Sequence, residues 1–189
     1  MDRRLFLALA GTSLAVRPAH AAASRYNLDR ANSTVAFTYR MNGQPMTGRM
    51  PVASADILLD VDQPPNSRVA AEIDAGRADA GPFYATEAMK SQSVLYTARY
   101  PRISFRSEAI SGSIHGARIQ GPLTVRNVTE PITLDAVIYR QRGTVEGDRR
   151  NLSILMTGTI DRRRFGAGGF PDIVDPTIRL QILTRITLA

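Results

Sequence analysis

Residues 120–139, QGPLTVRNVTEPITLDAVIY, alternate apolar and polar side chains on both sides of a short polar break. Leu123 and Val125 precede the break, and Ile132, Leu134, Ala136 and Ile138 follow it. A period of two belongs to an extended strand with one wet face and one apolar face. Two such strands around a short break read as a hairpin, whose apolar face has to pack against another sheet, a helix or something that the protein carries.

The same alternation recurs along the chain with turn signals between the stretches. STVAFTYRM (33–41) sets Val35, Phe37 and Tyr39 on one face, and RMPVASADILLD (49–60) follows a glycine-containing turn. After the break at QPPNS (63–67) come RVAAEID (68–74) and RISFRSEAI (102–110), the latter alternating Ile103 and Phe105 with polar neighbours. A turn at Ser111-Gly112 then leads into SIHGARIQGPLTV and ITLDAVIYRQ. NLSILMTGTI (151–160) and TIRLQILTRITLA (177–189) complete the set, with Leu152, Ile154, Met156 and Ile160 on one side of the first and Ile178, Leu180, Ile182, Ile186 and Leu188 on one side of the second. One segment breaks the pattern: GPFYATEAMKSQSVLY (81–96) opens with proline and predicts a short helix or two over 82–96, covering an open end of the sheet through Phe83, Met89, Val94 and Leu95.

About eight strands, each with one apolar face, predict an all-β fold: an extended antiparallel eight-stranded barrel with a short helical insert. Eight is the strand number at which a closed barrel either fills with its own side chains or encloses one ligand. Strands of ten or more residues give a tube over ~30 Å long, suited to a long, thin apolar molecule. Aromatic residues are only 6% of the chain, so the inward set is short of large rings and leaves room.

The first residues read as something other than fold. MDRRLFLALAGTSLAVRPAHA (1–21) has an arginine pair, a short apolar run and a small-x-small end at Ala19-His20-Ala21, the pattern of an export signal too short to span a bilayer at ~20 apolar residues. Arg3-Arg4 before Phe6 matches a twin-arginine signal, and Arg17 near the cut suits that route. The expected location is the bacterial periplasm or outside the cell. Without residues 1–21 the formal charge falls from +7 to +5, and Lys90 is the sole lysine. The arginines are scattered apart from Arg162-Arg163-Arg164, with no basic face interleaved with aromatics, which argues against a nucleic-acid binder. Peripheral contact with anionic lipid is compatible with the charge.

Few residues could carry chemistry. There is no cysteine, and beyond the leader His115 is the one histidine, so thiolate or histidine-rich zinc sites are excluded. His115, beside a glycine in a hairpin, reads as a surface residue; a hydrolase or isomerase working through it is the enzymatic alternative. Asp60 and Asp62 end a strand before Pro64-Pro65 and read as a solvated turn, at best a weak calcium site. GAGGFPD (166–172) lacks the lysine and strand-to-helix setting of a phosphate cradle. No cofactor and no metal are expected. An outer-membrane barrel is disfavoured, because it needs an outward apolar face and a polar lumen.

Four stretches in order resemble one family, the YceI-like polyisoprenoid-binding proteins. GPLTVRNVTEPITLDA (121–136) resembles its Gly-x-Leu-Thr-x-x-Gly-x-Thr hairpin, and GTIDRRRFG (158–166) its Gly-x-Ile-x-Arg-x-x-Phe-Gly segment. YNLDRANSTVAFTYR (26–40) resembles the opening Asp-x-x-x-Ser-x-Val-x-Phe strand, and YPRISFRS (100–107) the Tyr-Pro-x-Ile-x-Phe strand. The match as a whole runs from about residue 25 to 189. The resemblance implies a lipocalin-like barrel, exported, non-catalytic and often a homodimer, holding a long-chain isoprenoid or other lipid along its axis. The chain departs from the pattern at Arg40, where the family often has His, at Met50 in place of Phe, at ATEAMKS (85–91) in place of Arg-Asp-x-His-Leu, and at Asn127 in place of glycine. Asn127 tolerates positive φ. The polar departures leave a ligand's head-group contact unassigned.

The expected ligand-facing wall is Val35, Phe37, Tyr39, Ile103, Phe105, Leu123, Val125, Leu134 and Ile138, with Phe83, Met89 and Leu95 near a mouth. The alternative is a barrel filled by its own side chains and serving as a scaffold or interaction module.

Overall fold

Every period-two strand needs hydrogen-bond partners along both edges, and these strands find them by closing on themselves. The computed structural model describes residues 23–141, 143–145 and 147–189; the expected export signal, 1–21, lies outside them. The strands are β1 (Ser24–Met41), β2 (Gln44–Leu59), β3 (Arg68–Asp74), β4 (Arg102–Arg106), β5 (Ala109–Ser113), β6 (Gly116–Val125), β7 (Val128–Arg140), β8 (Asn151–Asp161) and β9 (Thr177–Leu188), with one helix, α1 (Phe83–Lys90). They pair in the order β4-β3-β2-β1-β9-β8-β7-β6-β5, and β4 also pairs with β6. That last pairing closes an antiparallel barrel of eight wall strands, in which β4 and β5 are two pieces of one interrupted strand running along β6.

The seam is made by Ser104 opposite Thr124 and Phe105 opposite Leu123, and it resumes at Ala109 opposite Gln120. Between them the chain swings inward at Arg106. A Cβ on Gly121 would lie 1.9 Å from the Arg106 carbonyl oxygen, so only glycine allows this approach. Ser107 holds the kink: its N–H donates to Val69 O at 2.8 Å, and its Oγ accepts from Val69 N at 2.9 Å.

Several boundaries differ from the sequence expectation, each for a local reason. β1 runs 18 residues, because the strand expected at 33–41 is only its second half. Its pairing with β2 is interrupted between Tyr26 and Thr34. Within this irregularity the Asp29 carboxylate accepts from both Asn32 nitrogens, and Ser33 Oγ accepts from Arg185 N at 2.9 Å. The inserted residues reverse the parity, so Tyr26 in the first half and Val35, Phe37 and Tyr39 in the second are all buried. β2 starts at Gln44 instead of 49, directly after a two-residue Asn42-Gly43 turn with both φ positive (50° and 74°), a geometry matched to strand twist.

The strand expected at 102–110 breaks after Arg106, and the return turn sits at Ile114-His115, three residues later than the expected Ser111-Gly112. In the β6–β7 turn the positive φ (59°) falls on Arg126, not on Asn127. Asp60 is no solvated turn residue: it is buried, accepts from Asp62 N and Gln63 N, and receives Asn66 Nδ2 at 3.1 Å. These bonds hold its carboxyl below the usual range, the Asn66 side chain contributing most. Asp62 instead pairs with Arg149 through two contacts of 2.7 Å.

Two apolar clusters occupy opposite ends of the tube. One gathers Tyr26, Ile57, Leu59, Leu152 and Ile186 at the end carrying both strand termini, where Tyr26 donates to Arg149 O at 2.8 Å. The other gathers Phe37, Tyr39, Met50, Leu123, Val125 and Phe165 beneath α1.

Replacing Gly121 by alanine should destabilise the barrel by about 2–4 kcal/mol, because the Arg106 backbone has to withdraw from the seam. Gly116→Ala, whose Cβ would meet open space, should cost roughly 0.5 kcal/mol or less. Urea unfolding of the two variants beside the parent measures the difference.

Candidate functional site

The inward side chains do not meet in the middle. They line a cavity of about 550 Å³ that draws on every wall strand, from Val35, Met50 and Ile73 to Leu134, Ile154 and Leu180. This is within the ~300–1,000 Å³ of small-molecule sites. The space exists because the wall is built of branched and straight aliphatic chains, with Phe37, Tyr39 and Phe105 as its strand-borne rings. Phe37 lies over Gly48, where a Cβ would come within 2.2 Å of the ring, so a large side chain is accommodated against the wall instead of across the lumen.

Eleven of the twelve expected residues line this cavity: Val35, Phe37, Tyr39, Met89, Leu95, Ile103, Phe105, Leu123, Val125, Leu134 and Ile138. Phe83 does not. It starts α1 pointing outward, 81% exposed, and Tyr84, Ala85, Ala88 and Met89 face the cavity in its place. The helix is eight residues long and ends at Lys90; the rest of the expected 82–96 helical segment is a run of turns.

The expected set omitted residues of two kinds. Ile154, Met156, Ile160, Ile178, Leu180 and Ile182 carry the same alternation as the residues that were chosen. Phe165, Phe170 and Val174 come from a segment without any period, where the one signal is Phe165's place in the Gly-x-Ile-x-Arg-x-x-Phe-Gly resemblance.

That loop, 162–176, closes one end, and arginines hold it. Arg162 is buried, yet no carboxylate pairs with it among the described residues. Its Nε donates to Asp175 O at 3.0 Å, Nη1 to Ala167 O and Gly169 O at 2.5 and 2.7 Å, and Nη2 to Val174 O at 2.7 Å. Burial lowers its pKa, with the nearby Asp161 opposing. Arg126, at the β6–β7 turn, ties the same loop to the segment after α1 by donating to Gly166 O and Val94 O. The triplet 162–164 therefore divides its work, since Arg163 pairs with Asp161 and Arg164 with Glu130.

The cavity offers little polar chemistry. Tyr39 spends its hydroxyl on Ala80 O at 2.8 Å, and burial, then Tyr84 and Asp79 nearby, push its pKa up. Ser67 Oγ accepts from Asp60 N, and Ser113 Oγ from His115 N. Among the described residues Arg162 is the one charged side chain on the lining, and its carbonyl partners engage it. His115 is exposed in the β5–β6 turn. Among the described residues no three His, Asp or Glu side chains gather in a way that could hold a metal ion.

The YceI-like domain model matches residues 26–186. Protein YceI of Escherichia coli O157:H7 is 24% identical over 151 residues, which cover 78% of this chain and 79% of that protein. In shape the chain is similar to the crystal structure of Burkholderia cenocepacia BcnA, with a TM-score of 0.73 at 18% identity over 84% of this chain and 99% of that one. It is also similar to a polyisoprenoid binding domain from Saccharophagus degradans implicated in plant cell wall breakdown, with a TM-score of 0.62 at 11% identity over 88% and 99% of the two chains.

Arg162→Met should cost ~3 kcal/mol or more, since buried carbonyls of the 167–175 loop lose their donors. Arg162→Lys should recover only part of this, because one ammonium cannot reproduce the planar fork. Thermal unfolding of the two variants, with proteolysis of the loop as a local readout, tests the assignment.

Proposed function

The chain belongs to the YceI-like domain family, and from that membership and the apolar tube we propose that it is a non-catalytic binding protein carrying a long apolar chain, a polyisoprenoid or similar lipid. The observation that carries this reading is the cavity itself: about 550 Å³, walled by aliphatic side chains and, among the described residues, holding no unspent charge. At roughly 24 cal/mol per Å³, a void of that size left unfilled would forgo on the order of 13 kcal/mol of packing. That is comparable to the whole stability of an ordinary domain, ~5–15 kcal/mol. A closed hydrogen-bonded wall cannot collapse to recover it, so the fold favours an apolar guest.

The absence of catalysis belongs to the same reading. A reaction site needs groups that can move protons or stabilise developing charge within reach of the substrate. Here the lining hydroxyls of Tyr39 and Ser67 are engaged, and His115 is on the surface. The name of the Saccharophagus degradans domain, polyisoprenoid binding, supports an isoprenoid as the guest. Export completes the proposal: the leader at 1–21 sends the protein to the periplasm or beyond through the twin-arginine route.

Organic extraction of the purified protein followed by mass spectrometry should recover a long-chain isoprenoid or other lipid in near-stoichiometric amount. Leu134→Trp, whose ring would project into the lumen, should abolish uptake of an added isoprenoid quinone while the barrel stays folded. If the parent yields no lipid and takes up none, and the Trp variant is clearly less stable than the parent because its ring overpacks a full core, the barrel is a filled scaffold. For export, Arg3→Lys with Arg4→Lys should leave the precursor in the cytoplasm; unchanged fractionation refutes the route.

A further inference from the structure

Four of the large apolar side chains that stand in solvent gather at the α1 end of the barrel: Phe83 (81% exposed), Tyr84 (64%), Phe170 (41%) and Ile173 (40%). Three of them, Tyr84, Phe170 and Ile173, also line the cavity, so inside and outside meet there. Asn42 joins them, exposed on the lining, with its N–H donating to Ile173 O at 2.8 Å. Tyr139, Val145, Leu183 and Leu188 are exposed too, but none of these touches the cavity. The mouth therefore lies between α1, the β1–β2 turn and the 170–174 segment, with an apolar rim.

Phe83 is the unexplained member. It fills no space in the barrel, and an exposed aromatic at the tip of a helix gains nothing from water. On the helix, Phe83, Glu87 and Lys90 share the outward face at spacings of four and seven, while Tyr84, Ala85, Ala88 and Met89 face the lumen. We infer that this rim docks on a lipid bilayer containing anionic lipid, with Phe83 inserted as a wedge and the mouth facing the acyl chains. The inference rests on the carrier reading above.

A bilayer fits better than a protein partner for two reasons. The patch encircles an opening continuous with an apolar cavity, so docking there places the cavity against the phase in which a long apolar guest is soluble. The chain beyond residue 21 also carries a formal charge of +5, complementary to an anionic leaflet. On the rim's own elements the charges are mixed, with Glu87 and Lys90 on α1 and Asp172 in the 170–174 segment. Insertion of apolar side chains thus carries the contact, and the net charge steers the approach.

The chain contains no tryptophan, so Phe83→Trp introduces a single reporter at an exposed position. With the mature protein and vesicles of phosphatidylglycerol and phosphatidylethanolamine, its emission should shift to the blue and be quenched by brominated acyl chains. Phe83→Glu should lower the fraction floating with the vesicles by about tenfold or more, the scale of withdrawing one phenyl ring from an apolar phase. Uptake of the soluble fluorophore N-phenyl-1-naphthylamine, measured without vesicles, should be unchanged in Phe83→Glu, which reports on the cavity alone. Four results overturn docking: a parent that does not float, a Phe83→Trp spectrum that vesicles leave unmoved, a Phe83→Glu variant that floats like the parent, or light scattering that shows Phe83 holding two copies of the chain together. If the fluorophore enters while the parent ignores vesicles, docking fails and the carrier reading stands. If neither occurs, both fail.

Discussion

The barrel depends on a narrow seam. Ser104 with Thr124 and Phe105 with Leu123 are the pairs that join β4 to β6, and without them the sheet would end in two open edges. A closed ring removes those edges and their tendency to pair with other chains. It also fixes the circumference, because each hydrogen-bonded ladder sets the spacing to the next strand. From that single constraint the lumen follows: aliphatic side chains on a wall of fixed girth reach only part of the way across. Gly121 makes the seam possible by admitting the Arg106 carbonyl, and Ser107 carries the edge from β3 across the kink. The helical insert is set within this closure, since it spans the connection from β3 to β4 and drapes over the tube's end.

The two ends are built on different physics. At the termini, side chains do the sealing: Tyr26, Leu152 and Ile186 are buried on strands already held by their ladders. At the α1 end the cover is non-repetitive backbone, whose carbonyls find no ladder. Arg162 and Arg126 answer several of them, each guanidinium spreading its donors over a loop that would otherwise bury unpaired oxygens. Besides these arginines, isolated backbone bonds tie the cover to its surroundings, Asn42 N–H to Ile173 O at 2.8 Å and Asp175 N–H to Arg40 O at 3.0 Å among them, in place of a continuous ladder. A loop-built cover at one end and a ladder-held plug at the other give the tube a direction.

How legible this was depends on how far each feature obeys a period. The wall strands could be read because alternation survives in Val35, Phe37 and Tyr39, in Ile103 and Phe105, and in Leu123 and Val125. The first half of β1 was hidden because the irregularity at Asp29–Ser33 shifts the parity and makes Tyr26 and Phe37 look out of phase. Phe83 and Tyr84 are adjacent aromatics in a helix of two turns, too short for a pattern to fix its rotation. Nothing but the seating of the helix on the barrel decides which one faces in. Asp60 reads as a polar residue before two prolines, and its burial arises from the partners that the turn at 62–67 brings back to it. Arg162 and Phe165 are the arginine and phenylalanine of the Gly-x-Ile-x-Arg-x-x-Phe-Gly resemblance, which marks the two positions without saying that they are buried, and for Phe170 the missing information is wholly tertiary.

The same apolar lining that favours a guest opposes its release. At ~0.8 kcal/mol per buried CH₂, a guest of about twenty carbons would gain roughly 16 kcal/mol before its ordering costs. Passing through water would surrender most of that gain, so exit by that path is slow however the cover moves. Exchange at a useful rate needs a second apolar phase at the mouth, where the guest leaves one low-polarity surrounding as it enters the other. The structure sets its exposed apolar rim at the end whose cover is held by loop contacts, and keeps the ladder-held plug at the other. In the carrier reading proposed above, a tube closed on its own strands would restrict loading and unloading to one end, and the architecture of that end, more than the wall, would decide where a guest goes.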